Sequence, residues 1–384
     1  MNGIRNKITW PLLLGNFFIG TGVLAPAGLI SELGTAFQVD AAAVASLLAY
    51  GGAVLCLESP LLAFATHRLD RRRLLCGALL IFALGHFLSL FAARFETLLL
   101  IRLVMIAAAA LFTPQAASAL ALYYPADQRA AAITFVFLGW SLASAVGIPL
   151  AKLSGSLAGW RIVFASLALG CLGAAYAVLK TLPAGLHGQT LSFTSWITAL
   201  TNRNIWGILA VSGLALAAHH SKYPYIVVDL TTSLNSGPAL TASLLSLYGV
   251  ASILGTALAT RVIAQAGAST TVSLFLGVTG LGLLMWTTVT GSLFITMAAL
   301  FIWGSGVSPF IAAQQARLVN ANPATASTSI SLNTSIVYLG QAIGTSWGGL
   351  LLSTTPNHFP SWTAMVPLLL AFLLSLTLAA RFKI

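Results

Sequence analysis

Apolar residues in this chain do not alternate with polar ones; they run on for twenty or more positions and stop at Pro, Asn or a charge. Twelve such windows can be drawn, at roughly 10–33, 42–66, 74–93, 97–124, 130–156, 160–182, 204–230, 239–263, 269–290, 292–316, 325–353 and 361–381. Each suits a helix crossing a hydrocarbon layer about 30 Å thick. Continuous rather than alternating apolar character predicts helices and not a barrel, because barrel strands alternate between lipid and lumen.

Composition agrees: 58% of residues are hydrophobic and 7% charged, and mean hydropathy is +0.94. Soluble domains carry about a quarter charged residues, so too little polar surface exists to clothe a water-soluble fold. The net charge of +11 could suggest nucleic acid, but the basic residues punctuate apolar segments instead of forming a stripe interleaved with aromatics. They read as topology signals. With both termini in the cytoplasm, Arg5, Lys7, Arg68, Arg71, Arg72, Arg73, Arg129, Lys180, Arg203, Arg261, Arg317, Arg381 and Lys383 fall inside, against Arg94 and Arg161 outside. A multi-pass protein of the inner (cytoplasmic) membrane is expected. Cys56, Cys76 and Cys171 are odd in number and lie in apolar runs, so they read as packing residues. The first apolar window is too long for a signal-peptide core and is taken as the first span.

The longest polar stretch, Pro183 to Arg203, divides the chain into six windows plus six. Expected are an N-terminal bundle over 1–182, a cytoplasmic linker over 183–203 and a C-terminal bundle over 204–384. Phe193, Trp196, Ile197 and Leu200 keep helical spacing within the linker, which reads as a short surface helix or a structured loop. The halves echo each other: ITW at 8–10 and NIW at 204–206, SLLAYGG at 46–52 and SLLSLYG at 243–249, LASAVG at 142–147 and LGQAIG at 339–344. Taken at Trp10/Trp206, Tyr50/Tyr248 and Gly147/Gly344, the offsets are 196, 198 and 197. Such constancy argues for duplication, and an even number of helices per half makes the repeats parallel.

FATHRLDRRRLL, residues 64–75, is the densest charge in the chain. It resembles the loop signature of the major facilitator superfamily, G-x-x-x-D-R-x-G-R-R, with Ala63, His67, Arg68, Asp70, Arg71 and Arg72 at the signature positions and SPLLAF before it. GWSLASAVGIPLAKLSGSLAGWR (139–161), WGSGVSPFIAAQQARLVNANP (303–323) and SLNTSIVYLGQAIGTSWGGLLL (331–352) resemble the arabinose-efflux and drug:proton antiporter branch. The resemblance implies an all-α membrane protein of the major facilitator fold, with twelve transmembrane helices in two pseudo-symmetric six-helix bundles around a central cavity. It also implies conformational gating by His67, Arg68, Asp70, Arg71 and Arg72, with His67 where the family has an acid and Asp70 three residues away to replace it. A plain topology anchor is the alternative role.

Ionisable residues at bilayer depth are costly and ask for a reason. Glu58, two thirds along the second window, fits proton coupling or a structural hydrogen bond; the family position of Arg102 implies proton coupling, against snorkelling to the interface. At 1.5 Å rise per residue the two lie more than about 10 Å apart in depth, too far for a direct pair. His219 and His220 are the second proton-carrying choice, since histidine titrates near neutrality; adjacent residues are poorly spaced for a metal. Lys152 either lines a cavity or snorkels outward. Asn16, Tyr223, Gln314, Asn333 and Gln341 are candidates to contact substrate, or else to bond helix to helix. Gly147 and Pro149 predict a bend and a close-packed face. His86 reads as structural, and Glu32, Asp40 and Asp229 as solvated groups at outer helix ends.

The function expected is a secondary active transporter exporting a small molecule (sugar, metabolite or drug-like solute) by proton antiport and alternating access; proton-coupled uptake is the alternative, with a non-transporting sensor or a membrane enzyme further off. No His-Glu-x-x-His, Gly-x-Ser-x-Gly or phosphate-cradling loop occurs in the sequence, so an enzyme and an intrinsic ATP motor are not expected. A sensor on this fold would carry an added cytoplasmic domain. No cofactor or metal is expected, and the partners are a small-molecule substrate, protons and membrane lipid, with no nucleic acid, the protein acting as a monomer. Because the deep polar groups are mostly cationic, neutral or anionic solutes are favoured over cationic drugs.

Overall fold

The computed structural model describes residues 7–66, 69–187, 193–287, 291–322, 325–354 and 361–382. Among them every regular element is helical. The order is α1 (Thr9–Gly28), α2 (Ile30–Phe37), α3 (Ala41–Ala65), α4 (Arg71–Ser89), α5 (Phe95–Tyr123), α6 (Ala126–Leu142), α7 (Ile148–Ala158) and α8 (Trp160–Thr181). After α9 (Phe193–Thr201), the short helix inside the linker, come α10 (Arg203–His220), α11 (Ile226–Leu234), α12 (Pro238–Thr287), α13 (Leu293–Ala321), α14 (Ala326–Thr354) and α15 (Met365–Phe382).

Seven runs among the described residues are continuous, long and apolar enough to cross a membrane. One of them, α12, is 50 residues long and contains two crossings that meet at Gly267, where φ is 79° and only glycine is unstrained. With α3, α10 plus α11, α14 and α15, the total is the twelve that the apolar windows predict.

Several spans that the sequence presents as continuous are broken. Pro26 lies inside α1, and the helix ends two residues later before resuming as α2. In the seventh span, Pro224 cannot donate to the carbonyl four residues back, and a 3₁₀ turn over Tyr223–Tyr225 separates α10 from α11. The fifth span passes from α6 through a π turn (Ala143–Gly147) into α7, whose first turn holds Pro149. A bend was expected at Gly147 and Pro149; the structure has a π turn there within one continuous span.

Contacts divide the chain into two compact units, one of Met1–Val39 with Leu57–Leu191 and the other of Asp40–Cys56 with Ser192–Ile384. Each unit has the same internal plan. In the first, α1 packs on α6 and α8, and α4 on α5 and α8. In the second, α10 packs on α14 and α15, and α12 on α13 and α15. These are the equivalent helices of the two sequence repeats. The core of the first unit gathers Leu12, Ile19, Phe82, Phe112 and Val136.

Candidate functional site

In the first unit, Asn16 on α1 is fully buried and fully engaged. Its Nδ2 donates to the Val136 carbonyl of α6 (3.1 Å), its Oδ1 accepts from Thr113 Oγ1 of α5 (2.7 Å), and Trp140 Nε1 donates to Thr113 (3.0 Å). This chain of bonds ties three helices together. Arg102 on α5 is 2% exposed and donates through Nη2 to the carbonyls of Gly22 (3.0 Å) and Val23 (2.5 Å) on α1. Pro26 explains the first of these: it has no N–H for the carbonyl four residues earlier, so the Gly22 oxygen is open to an outside donor. Arg102 is therefore buried against α1 and does not snorkel. His86 on α4 also lies against Gly22, edge-on to Phe82 and tilted against Phe164, with neither ring nitrogen hydrogen-bonded.

Lys152, from α7, is held in a buried ion pair. Its Nζ meets Glu32 Oε1 at 2.6 Å, with the lysine side chain 5% and the glutamate 14% exposed, and Ser156 donates to the same oxygen (2.5 Å). Glu32 is thus paired and not solvated. Gly147 packs so closely on Thr21 of α1 that a Cβ would collide with it.

The second unit repeats these features with other residues. Ser212 of α10 donates to Asn333 Oδ1 of α14 (2.6 Å), while Gln314 of α13 donates to Ser212 Oγ (3.0 Å) and the Ile208 carbonyl (2.9 Å). Gln341 donates to the Leu48 carbonyl (3.3 Å). At the end of α10, His219 is ringed by Tyr223, Tyr248, Trp303 and His220, with centroids 4.6–6.4 Å apart. Trp303 Nε1 donates to His219 Nδ1 (3.2 Å); since an indole can only donate, Nδ1 must carry a lone pair in this arrangement. The neighbouring His220 bonds through Nδ1 to the Leu216 carbonyl (3.0 Å). Lys222, 2% exposed, meets Asp229 Oδ2 at 2.8 Å, and Trp286 Nε1 donates to that oxygen (2.9 Å). Asp229, like Glu32, is paired where solvation was expected.

At the basic cluster, His67 and Arg68 lie outside the described residues. Asp70 caps α4, accepting from the Arg73 amide (3.1 Å), and also accepts from the Gly185 amide after α8 (2.5 Å). The amide of Arg71 donates to the Leu186 carbonyl (2.9 Å), and the buried Arg71 guanidinium donates to the Thr66 carbonyl (3.3 Å). Arg72 is partly buried beside it. Burial works against the charged Asp70 carboxylate, but the Arg73 and Gly185 amides and the nearby His187 outweigh it, and its pKa falls below the usual value. The cluster thus fastens the α3–α4 connection to the segment after α8.

Glu58 falls within α3, and its side chain lies outside the described residues. Glu32, Asp229, Trp303 and Arg317 were not singled out from sequence as site residues. Arg317, fully buried on α13, donates to Ser375 Oγ (3.2 Å) and its carbonyl (3.3 Å) on α15. One signal was present: Glu32 and Asp229 are 197 positions apart, the offset of the repeat.

Two like bundles of membrane-length helices, each with polar side chains enclosed in its interior, define a multi-pass membrane protein of transporter type. The family model described as Major Facilitator Superfamily matches residues 12–345, and the chain belongs to that superfamily. Its fold is similar to that of a bacterial homologue of the human lysosomal transporter Spinster, in an inward-facing, occupied conformation (TM-score 0.75, 15% identity, covering 98% of this chain and 97% of that one). A D-xylose–proton symporter is similar too (TM-score 0.77, 15% identity, 96% of each chain), as is a nucleoside transporter (TM-score 0.75, 13% identity, 98% of this chain and 99% of that one). At these identities the likeness is one of fold. The protein is a membrane transporter of the superfamily.

Proposed function

We propose that the protein is a proton-coupled secondary transporter that exports a small neutral or anionic solute, such as a sugar or metabolite, by alternating access. The observation that carries this reading is the His219–Trp303 bond inside the second unit. A titratable ring sits among aromatic side chains in a membrane-spanning bundle, held by a bond that survives only while Nδ1 is unprotonated. Taking a proton at Nδ1 breaks it, which links proton binding to a rearrangement of Tyr223, Tyr248 and Trp303. Arg102, His220 and Glu58 are the further coupling groups in this proposal. Asn16, Lys152, Tyr223, Gln314, Asn333 and Gln341 belong to the polar interior that a solute would meet when their present bonds open. The bundles 1–182 and 204–384, joined by 183–203, are the moving bodies, gated at His67, Arg68, Asp70, Arg71 and Arg72 and flexed at Gly147 and Pro149. The distribution of Lys and Arg favours the inner membrane with both termini cytoplasmic.

Export rests on the resemblance over 139–161 and 303–352. The test is reconstitution in liposomes holding a pH-sensitive dye, with sugars, nucleosides, amino acids and cationic dyes added in turn. In antiport a solute entering the lumen expels protons and the lumen becomes alkaline; acidification instead means symport, the uptake reading. Movement of a solute that is indifferent to an imposed pH gradient overturns proton coupling altogether. His219→Gln is expected to remove the proton signal.

A further inference from the structure

Near the start of α3 the second unit contains two adjoining cavities, both lined only by its own residues. One, of about 420 Å³, includes Asp40, Ser46, Tyr225, Thr345 and Ser353 in its wall. The other, of about 490 Å³, is bounded mainly by Ala53, Ala342, Ile343 and Trp347. They share Ala49, Tyr50, Ser346 and Leu350, so together they form one site with a polar end and an apolar end, in the size range of small-ligand pockets.

Three hydroxyls at the polar end can act only as acceptors. Ser46 donates its hydroxyl proton to the Ala43 carbonyl (2.6 Å), Ser353 to the Leu350 carbonyl (2.9 Å) and Tyr225 to the Thr345 carbonyl (2.7 Å). A hydroxyl whose proton is committed to backbone offers a visitor only its lone pairs. Asp40 is the one charged residue in the wall. One of its oxygens caps α3 through the Ala43 amide (2.6 Å). No Lys or Arg lines either cavity, so an anionic head would find no counter-charge. A head rich in donors and positively charged finds both acceptors and a carboxylate. The half-exposed rings of Tyr50 and Trp347, with Ile343 and Leu350, suit an alkyl or aromatic tail.

We infer that this site binds an amphipathic amine, its ammonium directed to Asp40 and its tail along Tyr50 and Trp347. The inference stands independently of proton antiport, and it can be tested without any gradient. Octylamine, octanol and octanoate share one tail and differ only in the head, so their partition into detergent or lipid is separated from site binding by comparing protein with protein variants. Calorimetric titration of the purified full-length protein in phosphatidylcholine nanodiscs is expected to show saturable binding of octylamine, weaker binding of octanol and none of octanoate. Asp40→Asn keeps a good helix cap but removes the charge, and should weaken octylamine at least about tenfold, as expected for loss of a charged hydrogen bond. Tyr50→Ser should narrow the preference for octylamine over butylamine. Phosphatidylethanolamine added to the nanodiscs identifies the bilayer as the source of the amine if it competes with octylamine, and a soluble amine if it does not; the site holds in both cases. Equal binding of octylamine and octanoate, or octylamine binding that Asp40→Asn leaves unchanged, overturns the inference.

Discussion

In the first unit the lysine that reaches Glu32 comes from a distant span, 120 residues along the chain; in the second, the lysine that reaches Asp229 comes from the turn that breaks the same span. The two acids stand at equivalent places in the duplication, yet the two cations do not. What the halves hold in common is therefore an acid just beyond the break in the first span of each half, with a buried ammonium on it and a second donor beside it, Ser156 in one unit and Trp286 in the other. A carboxylate this far from water needs its charge answered, and each half has found its own answer. The loop after the second span differs in a similar way. Asp70 in the first unit bonds the Gly185 amide, whereas the residue 197 positions later is Gly267, which only turns the chain.

The largest effects are expected from splitting the acid–lysine pairs. Asp229→Asn removes the carboxylate that Lys222 meets, and Glu32→Gln the one that Lys152 meets; each should cost about 3–5 kcal/mol, with Asp229→Asn the worse because Lys222 is the more deeply buried. Removing both partners (Lys222→Met with Asp229→Leu) should recover much of the loss. Thermal unfolding in detergent, read as a double-mutant cycle, measures this, and a double variant no better than the single one contradicts the pairing.

Next in size are the two equivalent glycines. A Cβ at Gly344 would run into the Ala217 backbone carbonyl, while one at Gly147 would meet the Thr21 side chain. Backbone cannot step aside and a threonine side chain can, so Gly344→Ala should lose about 1–3 kcal/mol and Gly147→Ala less. Adding Thr21→Ala, which removes the Oγ1 and Cγ2 that a Cβ at Gly147 would meet, should relieve only the second. Melting temperatures of the three variants decide it.

The polar networks separate more gently. Asn16→Ala removes a whole buried amide with its bonds to Val136 and Thr113, whereas Ser212→Ala removes one hydroxyl, after which Asn333 loses its donor but the Gln314 amide keeps its bond to Ile208. Losses of about 1–3 and about 1 kcal/mol follow, with Asn16→Ala the larger; the reverse order in chemical denaturation would mean that the networks are not equivalent.

The smallest effect is a pH dependence confined to the first unit. Because the folded pKa of Asp70 is lowered, its contribution is fully present above the ordinary carboxylate value of about 3.9 and fades as pH falls through the lower folded value. Asp70→Asn, which still caps α4, should flatten that acid limb in a stability–pH curve while leaving the neutral range alone. An unchanged limb would assign it to another carboxylate.

The spans were legible because an apolar run of bilayer length has few alternatives, and the close packing at Gly147 was legible because glycine alone admits so near a neighbour. The linker helix was legible from the spacing of Phe193, Trp196, Ile197 and Leu200. Two breaks were not: Pro26 and Pro224 sit inside windows read as single spans, and composition says nothing about which side of a proline turns. The ion pairs were hidden because Glu32 looks like any acid at a helix end until α7 is packed beside it. Lys152 was read as a lone cation for the same reason, its partner being fixed by helix depth and rotation and not by sequence spacing. Arg102 was placed correctly in its helix, but its acceptors could not be foreseen without knowing that α5 passes Pro26.

That last arrangement has a consequence for how such a bundle can change. By withholding one N–H, Pro26 turns a helix side into a receptor, and a guanidinium from the next helix fills it. Because the bond belongs to a carbonyl that α1 itself cannot use, α5 can let go of it without unravelling α1. A defect fixed in the covalent chain in this way leaves on α1 an acceptor that owes nothing to the helix's own ladder.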